Sequence, residues 1–415
     1  MLAAFSSRAL CGLLLSALLT ATAAAENKPH DMSQMWQKSL TSRQPAATAA
    51  FDARGALWLA QVQDGHVLVS RSTDDGATFS DGVPVNAQAE AVSASGETRP
   101  KLAFGLHGEV YVAYTQSLET PFAGNVRFSR SLDGGQHFSE PVTVNDNLDA
   151  ITHRFESMAV DRHGRIFLAW LDKRDAVAAK GRGEPFSGIS VYSAMSDDAG
   201  ASFHANRRVA EHSCECCRIA MAVDAGGTPV IVWRHVFGKN TRDHALARLT
   251  GHESTEAEPQ RVTFDRWEVD ACPHHGPSLA IAGQALHLAW FSNAPQHSGL
   301  FYAYSSNGGQ GFTPPLPVGN LGHQPGHPSV LALGREVYLA WKEFDGEAST
   351  VVGMRSHDGG KHWDDMQKLA ETRDQSDHPL LIARRDQAYL TWNTQQEGFR
   401  LLAWPQVFKH TTKTK

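Results

Sequence analysis

The feature that most constrains this chain is a short apolar pattern, Leu-Ala-Trp or a close relative, that recurs along its length. The copies are Leu59-Ala60-Gln61, Val112-Ala113-Tyr114, Leu168-Ala169-Trp170, Ile231-Val232-Trp233, Leu288-Ala289-Trp290, Leu339-Ala340-Trp341 and Leu390-Thr391-Trp392. Their last residues lie 53, 56, 63, 57, 51 and 51 positions apart. A period of about 50 residues, built from short strands rich in Val, Ile, Phe and Trp and bounded by Gly, Asp and Asn, predicts the blades of an all-β β-propeller. Each unit repeats one order. A small-residue strand such as Ser157–Asp161 leads through a turn (Arg162-His163-Gly164) into the Leu-Ala-Trp strand. A third strand, a Gly-rich turn and a fourth strand complete a four-stranded blade.

The Gly-rich turn is a second motif, Ser-x-Asp-x-Gly-x-x-Phe/Trp. It stands at Ser72-Asp74-Gly76-Phe79, Ser131-Asp133-Gly135-Phe138, Ser196-Asp198-Gly200-Phe203 and Ser356-Asp358-Gly360-Trp363, with an Asn variant at Ser305-Asn307-Gly309-Phe312. The carboxylate accepts bonds from backbone N–H groups of its own turn, and the glycine supplies positive φ. Successive serines lie 59, 65, 109 and 51 residues apart, so the 109 gap spans two units and the one between has lost its box. These turns resemble the Asp-boxes, or bacterial neuraminidase repeats, of the sialidase superfamily. The resemblance covers most of the chain and implies the propeller. Asp-boxes are structural in that family and do not by themselves imply sialidase activity. Sialidases have six blades; the seven Leu-Ala-Trp copies here favour seven, with six as the alternative. The last unit, about Asp377 to Trp404, supplies only three strands, and Met35–Leu40 resembles the outer strand Trp363–Leu369. That N-terminal segment is expected to provide the missing strand and close the ring, which also protects the sheet edges.

Residues 1–25 read as a cleaved signal peptide. Arg8 gives the positive start, an apolar stretch runs to about Leu19, and Ala23-Ala24-Ala25 offers a small-residue cleavage site. The product is expected to be periplasmic or secreted, with no transmembrane segment, as one propeller domain over 26–408 and a polar tail over 409–415. The formal charge of −6 has both signs scattered along the chain, which argues against a nucleic-acid partner.

The chemistry gathers where each first strand begins. In a propeller these loops converge on the central channel, and here they read Arg99-Pro100, His153-Arg154-Phe155-Glu156, Cys216-Cys217-Arg218, His274-His275, His327-Pro328 and His378-Pro379. Cys214, Cys216, Cys217 and Cys272 are the four cysteines left after signal cleavage. Thiolate and imidazole suit soft or borderline metals, so this funnel is read as a copper site first and a zinc site second. Cys214 and Cys216, two apart on an extended chain, point the same way. They, with Cys272 and His274 or His275, form the first ligand set, and Cys217 and His327 extend it. His323, His378 and His153 are further funnel candidates. Two structural disulfides, or a redox-active thiol pair, are alternative fates for the same cysteines. Haem attachment is disfavoured, because Arg218 follows Cys217 where a histidine is required.

Two other functions remain in view. The sialidase resemblance implies an arginine clamp for a substrate carboxylate, which Arg99, Arg154 and Arg218 would provide, with Glu156 as a base. The family's Arg-Ile-Pro opening motif is absent; Arg99-Pro100 is the nearest match. The other alternative is a protein- or glycan-binding scaffold held by disulfides. The polar stretch Asp172–Gly188 reads as a long loop, a lid or contact segment for a partner.

Overall fold

A computed structural model describes residues 45–250 and 258–404 of the chain. They form consecutive antiparallel sheets, each a simple up-and-down meander. The first contains Ala47–Phe51, Leu57–Gln63, His66–Ser72 and Val83–Pro84, and the second Lys101–Phe104, Val110–Ser117, Gly124–Ser131 and Val142–Thr143. The third (His153–Val160, Ile166–Asp172, Ile189–Ser196, Arg207–Ser213) and the fourth (Ala220–Val223, Pro229–Phe237, Thr241–Arg248, Gln260–Arg261) are fused by the pairing of Ser213 with His235. The fifth begins with Ser278–Ala282 and the sixth with Gly326–Leu333, each four-stranded. The last has three strands, Leu380–Arg384, Gln387–Thr394 and Gly398–Ala403. Every Leu-Ala-Trp copy lies on the second strand of its sheet. The expected Met35–Leu40 strand, the expected signal peptide and the 409–415 tail lie outside the described residues.

Sheet packs on sheet in sequence order. One core cluster joins Trp58, Ala60 and Val69 of the first sheet to Val110, Val112 and Tyr114 of the second. Another joins Tyr111, Ala113 and Phe128 to Leu168 and Trp170 of the third. The series returns on itself, because Ala47, Ala49, Leu57 and Leu59 share a cluster with Ile382 and Tyr389 of the last sheet. First strands touch in the same cyclic order, and the Ala47 N–H donates to Asp377 at 2.9 Å across the junction. The architecture is therefore all-β and propeller-like. The repeated tryptophans Trp170, Trp233, Trp290, Trp341 and Trp392 are fully buried between sheets, which is why the pattern repeats: each sheet must fill the same gap against its neighbour.

The Asp-boxes take the expected form. Ser131 Oγ donates to Asp133 Oδ1 at 2.7 Å and accepts from the Gly135 N–H at 2.8 Å, while Asp133 Oδ1 accepts from the His137 N–H at 3.0 Å. The other boxes repeat these bonds, and in the variant box Asn307 takes the place of the carboxylate. The box aromatic docks on the preceding sheet, as Phe203 does on Phe128 and Trp363 on Tyr302. Phe79 of the first sheet meets Phe399 of the last, so a box also bridges the junction. Gly135 has φ +84°, and a Cβ there would lie 2.5 Å from the Trp58 ring; Gly134 has φ +74° with open space around it. Gly135→Ala is expected to destabilise by about 3 kcal/mol, from backbone strain plus overpacking. Gly134→Ala should cost only about 1 kcal/mol, from strain alone. Urea midpoints of the two variants check this pair.

The Asp172–Gly188 stretch differs from the sequence reading. It contains an α-helix, Arg174–Arg182, in place of a plain loop. The Ala-Val-Ala-Ala run favours helix, and Arg174 fastens its start to Asp172 at 2.8 Å and Asp146 at 2.6 Å. Gly183, in the left-handed region at φ 71°, ends it. Among the described residues no helix is long and apolar enough to cross a membrane.

Candidate metal centre

The fusion of the third and fourth sheets builds the cysteine loop. Ser213 pairs with His235, and the Cys214 N–H donates to the Arg234 carbonyl at 2.9 Å, so the chain enters the loop with Cys214 turned into the apolar core. Cys214, Cys216 and Cys217 are 1%, 4% and 2% exposed. Cys214 Sγ lies 4.0 Å from Cys216 Sγ and 3.9 Å from Cys217 Sγ. Cys272 and His274, both exposed, approach from the loop before the fifth sheet, and their ligand atoms lie within 4.8 Å of each other and of Cys216 Sγ. All four described cysteines are free thiols, with none at bonding distance from another.

Two guanidiniums frame this group. Arg242 Nη1 donates to Cys214 Sγ at 3.3 Å. Arg234, fully buried, donates to the carbonyls of Phe291 at 2.8 Å, His275 at 3.0 Å and Arg242 at 3.2 Å, with its guanidinium over the Trp267 ring. It thereby ties the cysteine sheet to the loop that carries Cys272 and His274. The S–H groups of Cys216 and Cys217, and then the charges of Arg234 and Arg242, hold the Cys214 thiol well below its ordinary pKa against the cost of burial. Cys216 and Cys217, which donate to that thiolate, are pushed up. Three sulfurs thus stand close together beside two guanidiniums, a grouping that could hold a metal ion.

A second group forms around Glu97, which carries no motif in the sequence. Its carboxylate accepts from the Arg218 side chain at 2.5 Å, the Arg218 N–H at 3.0 Å and the Gly276 N–H at 3.1 Å. His327 Nδ1 and His378 Nδ1 each stand 3.6 Å from it. Loops from five sheets therefore meet at one buried carboxylate. Burial works to raise its pKa, but Arg218 and His327 hold it well below the usual carboxylate range. His275, His327 and His378 form a stacked row, with ring centroids 4.4 Å and 3.5 Å apart. Burial lowers the pKa of all three, His275 to about 3.

The sequence candidates accordingly divide. Cys214, Cys216, Cys217, Cys272 and His274 come together; His275, His327 and His378 gather at Glu97, apart from the sulfurs. His323 sits on an exposed 3-10 turn, 3.5 Å from Glu343, and His153 is buried between the Gly124 carbonyl at 2.9 Å and Asn147 at 3.2 Å. Arg99 is spent on Asp377 at 2.9 Å, and Arg218 on Glu97. Arg154 donates to Ser93 at 3.1 Å. Glu156 is buried, accepts from Thr115 and faces Lys101 at 3.6 Å. Phe155, His274 and His327 all have positive φ, at 60°, 52° and 52°, so three of the loops that begin first strands hold strained backbone, a cost the surrounding structure must offset.

No protein-family model and no curated protein sequence matches this chain. Solved structures share its fold. An ulvan lyase of polysaccharide lyase family PL25, bound to -[GlcA(1-4)Rha3S]-, aligns with a TM-score of 0.54 at 10% identity, covering 87% of this chain and 92% of that one. The polysaccharide lyase Uly1 aligns at 0.53 and 10% identity, covering 88% and 90%. The Hadza microbial sialidase Hz136 aligns at 0.49 and 15% identity, covering 82% and 74%. The fold resembles that of these two polysaccharide lyases. At such identities the likeness carries architecture and leaves function to the site.

Proposed function

We propose that this chain is an exported, seven-bladed propeller that binds a soft metal ion, copper first and zinc second, through Cys214, Cys216 and Cys217. The observation that carries this reading is the geometry of the sulfurs. A metal–thiolate bond is about 2.3 Å long, so thiolates on one ion sit about 3.7–4.0 Å apart. The separations of 3.9 and 4.0 Å from Cys214 fall in that interval, whereas a disulfide needs about 2.05 Å. Charge supports copper. Cu(I) with three thiolates carries a net charge of about −2, and Arg234 and Arg242 beside the cluster offset it. The hydrolase reading is less supported, because two of the three clamp arginines already hold carboxylates of the chain itself. The cyclic contacts of the first strands support the seven-bladed reading, and the signal-like sequence of residues 1–25 supports export.

Anaerobic purification with a free-thiol count and elemental analysis tests this. The expected result is about one Cu or Zn per chain, with thiols protected from alkylation until the metal is stripped. Four oxidised cysteines, with no Cu or Zn taken up after gentle reduction and reconstitution, would falsify it.

A further inference from the structure

Cys216 belongs to two ligand sets at once. On its buried side it stands with Cys214 and Cys217, and on its exposed side with Cys272 and His274; within each set the ligand atoms lie within 4.8 Å of one another. The sets differ in access. The inner sulfurs sit in a core with Phe155, Ile219 and Trp233, while Cys272 and His274 are open to solvent. A charged ion does not cross such an apolar layer without ligands, because nothing there replaces its hydration. Exposed Glu215, between Cys214 and Cys216 in sequence, adds a negative charge felt at Cys272, on the side from which a cation would approach.

We infer that Cys272 and His274 form an outer loading station. They capture a soft cation together with Cys216 and pass it to Cys214 and Cys217 while Cys216 stays bound. This deepens the metal reading above and rests on it. The transfer is ligand exchange. Bonds to Cys272 Sγ and the His274 ring break as bonds to Cys214 Sγ and Cys217 Sγ form. No electron changes hands. Thiols that become ligands give their protons to solvent, and Cys272 recovers one on release. Because Cys216 holds throughout, no intermediate leaves the ion without sulfur. Arg234 is a positioning residue for this path, since it fixes the loop that carries the outer pair through the His275 carbonyl.

The test follows Cu(I) transfer from a chromophoric chelator, under anaerobic conditions, into reduced wild type and into the double variant Cys272→Ala/His274→Ala. Both residues are exposed, so the variant should keep the wild-type circular dichroism spectrum and melting profile. Loading and release are expected to slow together by roughly tenfold or more, so that their ratio, the affinity, shifts much less than either rate. A wild-type loading rate in the double variant overturns the loading station. So does a collapse of its equilibrium affinity with release much faster than in wild type, which makes Cys272 and His274 ligands of the final site. A wild-type chain that takes up no Cu(I) is a distinct failure, because it removes the metal reading itself.

Discussion

Cys214→Ala is expected to weaken metal binding by more than about 100-fold. Cys214 Sγ lies 4.0 and 3.9 Å from the sulfurs of Cys216 and Cys217, and its surroundings favour its thiolate form. Its loss leaves Cys216 and Cys217 with no third thiolate and leaves the Arg242 guanidinium without its sulfur acceptor. The effect should appear in stability as well. At a metal concentration about 100 times its Kd, binding stabilises the folded chain by about 2.7 kcal/mol, and Cys214→Ala should lose that increment. Competition against a chromophoric chelator, paired with thermal melts with and without metal, measures both. An unchanged affinity in Cys214→Ala would remove the inner cluster from the account.

Glu97→Gln should give the largest loss of stability. Glu97 is 4% exposed and gathers the Arg218 guanidinium and two backbone N–H groups from different sheets. Glutamine keeps the size but leaves the Arg218 charge without a counter-ion, a loss of about 3–5 kcal/mol. The pH dependence has a definite sign. Glu97 titrates at a lower pH in the folded chain than its ordinary value of 4.5. The stability it contributes is therefore complete above pH 4.5 and is lost progressively as pH falls below that value towards the depressed folded-state pKa. Denaturant unfolding from about pH 7 to about pH 3 should show wild type falling towards the Glu97→Gln curve on acidification. A constant gap between the two curves would show that the carboxylate charge is not what holds these loops together.

The parts of this molecule legible in its sequence are those whose physics is local. The Asp-box closes its bonds within eight residues, from Ser131 to Phe138 for example, so the pattern on the page is the pattern in space. The Leu-Ala-Trp copies are legible because every sheet fills the same gap. The cysteine grouping is half local: Cys214, Cys216 and Cys217 are near neighbours, and Cys272 joins through its matching place in the repeat. Glu97 has no such signal. Its partners Arg218 and Gly276 are 121 and 179 residues away, and only ring closure brings them together. The histidines divide for a related reason. His274 and His275 are adjacent, yet His274 turns to the sulfurs while His275 stacks between Phe291 and His327. Residue type alone places both in one funnel; which side of the loop each occupies depends on the neighbouring sheets. The arginines are equally telling, since a free clamp and a paired structural arginine read the same until Asp377 and Glu97 are seen beside them.

The central claim is that the three buried sulfurs hold one soft metal ion, and X-ray absorption at the copper edge of the reconstituted, reduced protein tests it most directly. The account predicts Cu(I) in a shell of three sulfurs at about 2.2–2.3 Å, with loss of that sulfur shell in Cys214→Ala. A shell of nitrogen and oxygen only, or a sulfur shell that Cys214→Ala leaves intact, would contradict it.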